Sequence, residues 1–263
     1  MIRIKKTFGL VGIVFLACLG PVWAQSPAQK PQTESATEAE KKEKPSFTLR
    51  VTEENVIGIS LKANKAKLSD VAAELSRKLK IPVVLSRVMQ KQTVTTEYSD
   101  LLLEPAMQLL APIVFIDYEI KSAPGSKQRP LGIFLNAYNE TPPAMDALVK
   151  GTSQAFVLSG NTEGDAADDE GPIHVSYRNE LLTAKAKDQP LVDVLSDIAD
   201  ETEIPLEAPD ESKELVTVDF KDRPVEEGVL TISPNIRIYV RADLSRGKRT
   251  VLRIVVVEPE KKP

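Results

Sequence analysis

The chain has 263 residues and a net charge of -4, from 38 Asp and Glu against 34 Lys and Arg. Phosphate binding requires clustered positive charge, so this balance gives no reason to expect nucleic acid as a partner. A hydrophobic fraction of 42% is that of an ordinary globular protein, and the length suffices for one large domain or two of about 100 residues.

Residues 1–24 read as an export signal. Arg3, Lys5 and Lys6 precede an apolar run over residues 8–19, which is short of the ~20 residues that span a bilayer. Gly20 and Pro21 break that run, and Val22-Trp23-Ala24 suits signal peptidase, with cleavage expected after Ala24. Removal of the three basic residues takes the charge from -4 to -7. No stable transmembrane anchor is expected after cleavage. Cys18 is the only cysteine and lies inside the apolar run. As a lipobox cysteine behind Phe15-Leu16-Ala17 it would make the chain a lipoprotein, the alternative to cleavage after Ala24. With cleavage, the mature chain has no cysteine and cannot use disulfides, so apolar burial must hold it together. Residues 25–46 contain no large apolar side chain and are rich in Pro, Ser, Thr, Glu and Lys. Such a segment cannot offset its ordering entropy and is expected to be a disordered tether.

Ordered sequence begins at Phe47. Residues 48–51 and 56–63 have the β-branched and alternating character of strands. Leu68, Val71, Ala72, Leu75 and Leu79 recur at helical spacing, and Pro82 ends that helix. Residues 83–85 and 93–98 read as strands. Asp100 is expected to N-cap a second helix through Leu103, Ala106, Met107 and Leu110. Residues 113–121 and 131–138 form a hairpin across a turn-rich segment. Residues 140–172 read as a linker, with a short helical turn over residues 144–149 and an acidic cluster of Asp165, Asp168, Asp169 and Glu170. That cluster lacks the alternating ligand spacing of a calcium loop, so it is expected to be a solvated loop. Strands follow at residues 174–177 and 181–186. Asp188 is expected to cap a helix with Pro190 in its first turn and a buried stripe of Leu191, Val194, Leu195 and Ile198. Residues 215–220 are a strand, and Asp222 caps a helix containing Pro224, Val225, Val229 and Ile232. A hairpin of residues 236–240 and 251–257 closes the chain.

These elements occur twice. Residues 61–82 align without a gap on residues 184–205, placing Lys62 on Lys185, Leu68 on Leu191, Asp70 on Asp193, Val71 on Val194 and Pro82 on Pro205. At an offset one smaller, Val94, Thr96, Tyr98 and Asp100 fall on Val216, Val218, Phe220 and Asp222. A repeat this long implies a duplicated unit. The expected organisation is an α+β fold of two tandem small domains, each of two βαβ halves with an added hairpin: residues 47–139 and 173–259, with the acidic linker at 140–172.

Few residues of the chain offer catalytic chemistry. Acid–base and nucleophilic catalysis need a base within reach of a nucleophile. The only histidine, His174, opens a strand and is expected to be structural or solvent-exposed. Asp70 with Glu74, and Asp193 with Asp197, lie one helical turn apart; lining a cleft, they would suit a hydrolase acting on envelope glycan. As polar faces of amphipathic helices they serve solubility only. No catalytic, cofactor-binding or metal-ligating residue is expected. Tyr98, Tyr118, Phe134, Tyr138, Phe220 and Tyr239 sit in expected strands and read as core. The first helix carries Arg77, Lys78 and Lys80, and the third Asp197, Asp200, Glu201 and Glu203. Such surface charge tunes docking and does not create it.

The ordered pieces resemble the secretin and TonB short N-terminal domain. They are residues 63–71 and 186–195, then Ile81-Pro82-Val83 and Ile204-Pro205-Leu206, then Thr93-Val94-Thr95 and Val216-Thr217-Val218, then residues 224–230. The resemblance implies a docking module on the periplasmic side of an outer-membrane assembly. No pore or receptor barrel follows the second copy, so the expectation is a periplasmic or secreted, non-enzymatic accessory protein. Its expected partner is an envelope protein, such as a secretin or an outer-membrane transport component. Strand addition to a free sheet edge is the expected docking mode.

Overall fold

A computed structural model describes residues 46–53, 56–123, 125–145, 147, 172–209 and 213–257. The export signal with Cys18, most of the tether, and the cluster of Asp165, Asp168, Asp169 and Glu170 lie outside the described residues.

The fold is α+β. In the first copy the elements are β1 (Phe47–Glu53), β2 (Ile57–Lys67), α1 (Leu68–Leu79), β3 (Val83–Leu85), β4 (Thr93–Leu102), α2 (Leu103–Gln108), β5 (Ile113–Lys121) and β6 (Arg129–Asn136). In the second they are β7 (Ile173–Arg178), β8 (Leu181–Pro190), α3 (Leu191–Thr202), β9 (Leu206–Glu207), β10 (Leu215–Pro224), α4 (Val225–Leu230), β11 (Ile236–Asp243) and β12 (Lys248–Val256). Each α1-type helix buries the stripe its spacing predicts: Leu68, Val71, Ala72, Leu75 and Leu79 in α1, and Leu191, Val194, Leu195 and Ile198 in α3.

The strand–helix–strand order holds along the sequence, but the two strands flanking a helix lie in different sheets. β1, β2 and β4 form one three-stranded sheet, and β7, β8 and β10 form its counterpart. The remaining strands form a six-stranded sheet in the order β3-β6-β5-β11-β12-β9. Its first half belongs to the first copy and its second half to the second. The helices touch both kinds of sheet: α1 meets β1, β2 and β3, and α4 meets β8, β10 and β11. Their apolar stripes therefore fill the space between layers, and the buried side chains of both copies form one connected cluster.

The copies meet where β5 pairs antiparallel with β11, from Phe115 opposite Asp243 to Lys121 opposite Arg237. Pro112 and Pro234 sit at matching points before these strands, so Tyr118 corresponds to Val240 at the same spacing. Tyr118 and Val240 are also direct partners in the register. A pseudo-two-fold axis therefore passes through that pair. Strand β5 is rich in β-branched and aromatic residues, has no Gly or Pro, and has one apolar face. Left as an edge it would expose a row of unpaired N–H and C=O groups; β11 covers them.

The expected N-caps are corrected. Asp100, Asp188 and Asp222 lie inside strands, each at φ 52°. The helices begin after Leu102, Pro190 and Pro224, with no side-chain cap. Asp tolerates the left-handed region better than most residues, which lets the strands bulge and continue. The bulges are duplicated with the fold. Lys65 at φ 50° matches Asp188, and Asp100 matches Asp222. The backbone N–H groups of Lys65 and Asp188 donate to the hydroxyls of Thr95 and Thr217, at 2.9 and 3.1 Å. Those of Asp100 and Asp222 donate to Ser60 and Thr183, again at 2.9 and 3.1 Å. The hydroxyls replace the ladder bond that a bulge breaks. Helices α2 and α4 are shorter than expected, so Leu110 and Ile232 lie beyond their ends, although both are buried. Of the expected turn over residues 144–149, the described part is a single hydrogen bond from Ala147 N–H to Ala144 O at 3.1 Å.

Candidate functional site: the seam between the copies and the free edges

Successive residues of a strand point to opposite faces, and the β5/β11 seam carries a different polar cluster on each. On the outer face, Asp117 and Arg241 stand opposite each other. Their side chains are 1% and 8% exposed. Arg241 donates through Nε and Nη2 to both carboxylate oxygens of Asp117, at 2.7 and 2.8 Å. Its Nη1 reaches Pro143 O at 2.6 Å and its Nη2 also reaches Ala144 O at 3.2 Å. The guanidinium lies 5.2 Å from the centroid of the Phe134 ring. One arginine thus binds β5, β6 and the start of the linker. Residues 137–144 are fixed over this face by further bonds, from Asn136 Nδ2 to Thr141 O at 3.3 Å and from Ala137 N–H to Glu140 Oε2 at 2.7 Å. The Ser86 hydroxyl, then the Ala137 N–H, hold the Glu140 carboxyl below the usual range.

Two residues along β5, Glu119 lies between Arg237 of β11 at 3.2 Å and Arg129 of β6 at 3.6 Å. Tyr239 faces Glu119 across the seam. Burial, followed by the Glu119 charge, raises its phenol above the ordinary value. The central strands are chemically complementary: β5 contributes Asp117 and Glu119, and β11 contributes Arg237 and Arg241.

On the inner face, the Tyr118 hydroxyl donates to Glu104 Oε1 at 2.8 Å. Arg249 of β12 contacts Glu226 at 3.0 Å, and its guanidinium lies 5.8 Å from the Tyr118 ring centroid. Glu104 and Glu226 are equivalent residues in the first turns of α2 and α4. Burial is the main cause of the upward shifts at both Tyr118 and Glu226. Backbone bonds close the ends of the seam, from Ser122 N–H to Ile236 O and from Leu244 N–H to Val114 O, both at 3.0 Å.

Among the described residues, the seam leaves other edges without a partner strand. β4 and β1 each pair only with β2, and β10 and β7 each pair only with β8. β4 and β10 are ten-residue strands with exposed, mostly polar outward positions.

The residues with candidate chemistry are dispersed. His174 is exposed in β7 and faces Lys185 in β8. Glu74 is held by Arg77 at 2.6 Å and Lys78 at 3.6 Å. The Arg77 hydrogen bond is the largest cause of its pKa falling to about 2. A carboxyl ionised to that extent cannot supply a proton near neutrality. Asp193, Asp197 and Asp200 share the exposed side of α3. Partial burial, then Asp200, Asp193 and Glu201, raises the Asp197 pKa. The basic residues of α1 are thus partly neutralised within their own helix, while the acidic residues of α3 repel one another. Among the aromatics, Tyr239 and Tyr138 depart from the expected core: Tyr239 is half-buried on the polar outer face of the seam, opposite Glu119. β6 ends at Asn136, and Tyr138 is 73% exposed beside the linker. Among the described residues, no three His, Cys, Asp or Glu side chains gather to hold a metal ion, and no helix is long and apolar enough to cross a membrane.

Asp117, Glu119, Arg237 and Arg241 carry the site, and none of them is among the residues that local spacing singles out. A signal was present: Asp117 and Glu119 alternate within an apolar run, as do Arg237 and Arg241, which places each pair on one face of its strand. Comparison with family models, curated proteins and solved structures finds no match to this chain.

Proposed function

We propose that the chain is an exported, non-enzymatic interaction module of the bacterial envelope, accessory to a secretin-type or outer-membrane transport assembly. The residues shared with the secretin and TonB short N-terminal domain support this reading, as does the signal-like segment at residues 1–24. The observation that carries it is the way the two copies join. A strand of one copy completes the sheet of the other through β5 and β11, and among the described residues β4 and β10 remain as edges of matching geometry without a partner strand. A partner strand added there would gain main-chain hydrogen bonds from the edge and selectivity from the alternating side chains.

Photocrosslinking tests the proposal. A photoreactive residue is placed at Ser99 of β4 or Asp219 of β10, both exposed, in cells exporting the full chain. The expected result is an adduct with one envelope protein, lost when a proline is placed in the same edge. Absence of adducts from both edges overturns strand addition. The mass of the mature N-terminus separates cleavage after Ala24 from lipidation at Cys18.

A further inference from the structure

The charge pattern of the seam specifies which copy can pair with which. If two first copies met at the same two-fold register, Asp117 of each would face Glu119 of the other, burying like charges twice. If two second copies met, Arg241 would face Tyr239, leaving both arginines buried without a carboxylate. Only a first copy against a second places Asp117 against Arg241, and an unpaired buried charge is strongly disfavoured. A one-residue slip would set Arg241 against Ile116 or Tyr118 and turn every side chain to the wrong face.

The groups that bind Arg241 are Asp117, Phe134, Pro143 and Ala144. The first copy and the linker's first residues therefore hold the whole receptor for Arg241. None of these contacts requires that the second copy belong to the same molecule. Ala147 and Pro172 are separated by 24 residues, whose contour length of about 80 Å exceeds a small domain's diameter.

We propose that the β5/β11 seam also closes between molecules, so that the partner it fits is a second copy of this chain, with halves exchanged reciprocally. The product is a closed dimer with two heterotypic seams, the arrangement that segment exchange generates at low cost. This goes beyond the envelope role proposed above and does not depend on it.

Two differently tagged full chains test the exchange when co-expressed, one carrying Lys121→Cys and the other Arg237→Cys, positions opposite each other in the register. The expected product is a disulfide joining the two tags. The Lys121→Cys/Arg237→Cys double variant is the control for disulfide geometry, since its two cysteines meet whether the seam closes within one molecule or between two. An internal disulfide in that control without any between tags overturns the proposal. A second arm co-expresses Asp117→Arg with Arg241→Asp. Each variant alone buries like charges, whereas exchange restores one native seam and one reversed pair. Capture through both tags should exceed that of either variant paired with itself by at least tenfold. Equal recoveries overturn exchange, and so do two insoluble variants that stay insoluble together.

Discussion

The two copies share a backbone and differ in what they place on it. Three left-handed positions recur: Lys65 with Asp188, Lys80 with Glu203, and Asp100 with Asp222. So do the hydroxyls that accept the bulge N–H groups, the apolar stripes of α1 and α3, and the glutamates at the starts of α2 and α4. The copies differ in the central strands, acidic in β5 and basic in β11, and in the first helix of each copy, basic at the end of α1 and acidic in α3. Duplication preserved what the fold needs locally. Where the copies touch, their charges differ in sign, because charges that face each other across a symmetric seam must differ to be compatible.

Breaking that complementarity has the largest expected effect. Arg241→Met leaves Asp117 buried without its cation, and should lower unfolding free energy by about 3–5 kcal/mol in denaturant titration. The Asp117→Leu/Arg241→Met double variant should recover much of that loss, because burial of the pair is itself costly. If the two single losses simply add, the pair is not coupled.

A packing contrast comes next. Gly228 of α4 occupies the position of Ala106 in α2. A Cβ at Gly228 would sit 2.9 Å from Phe220 Cε2 and 3.3 Å from Leu182 Cδ2. In the first copy Tyr98 stands in place of Phe220 and its hydroxyl donates to Ala106 O at 3.4 Å. Gly228→Ala should therefore cost ~1–3 kcal/mol despite better helix propensity. Ala106→Gly should cost ~1 kcal/mol for the opposite reason. Thermal melts of both variants check the sign; stabilisation by Gly228→Ala would show that the Phe220 ring yields.

The bulges give a smaller contrast. Lys65 and Asp188 hold the same left-handed conformation, which Asp tolerates better than Lys. Lys65→Gly should stabilise by up to ~1 kcal/mol, and Asp188→Gly by less. Equal gains would mean that the hydroxyl bond, and not residue type, sets the strain.

The pH responses of the helices are the smallest effect and have opposite signs. Glu74 titrates near 2, below its ordinary value of 4.5, so its stabilising share is present above 4.5 and fades as pH falls toward 2. Asp197 is raised above its ordinary value of 3.8 by partial burial and its acidic neighbours, so the fold gains as pH falls through its raised pKa. Carboxyl NMR titration should find the two on opposite sides of their ordinary values. Arg77→Ala should move Glu74 upward and leave Asp197 unchanged.

Much of this molecule is legible in sequence. The repeat, the helical stripes, the turns and nearly every strand follow from spacing and composition, because each depends on residues a few positions apart. The misread caps show the limit of that reasoning. An Asp before a helix suits a cap and a left-handed bulge equally, and only the hydroxyl on a neighbouring strand selects the bulge. Tyr138 failed for a related reason, since a strand's end is set by where its partner stops. The joining of the two copies was beyond local reading altogether. Asp117 and Glu119 within residues 113–121 complement Arg237 and Arg241, but their spacing does not by itself name residues 236–243 as the neighbouring strand, because strand pairing is settled by which edges remain uncovered once the chain has folded back. The sequence alone determined that there are two similar units and what each is built from. Tertiary structure decided that they share one sheet, because β5 and β11 each offered an unpaired edge and opposite charge to the other.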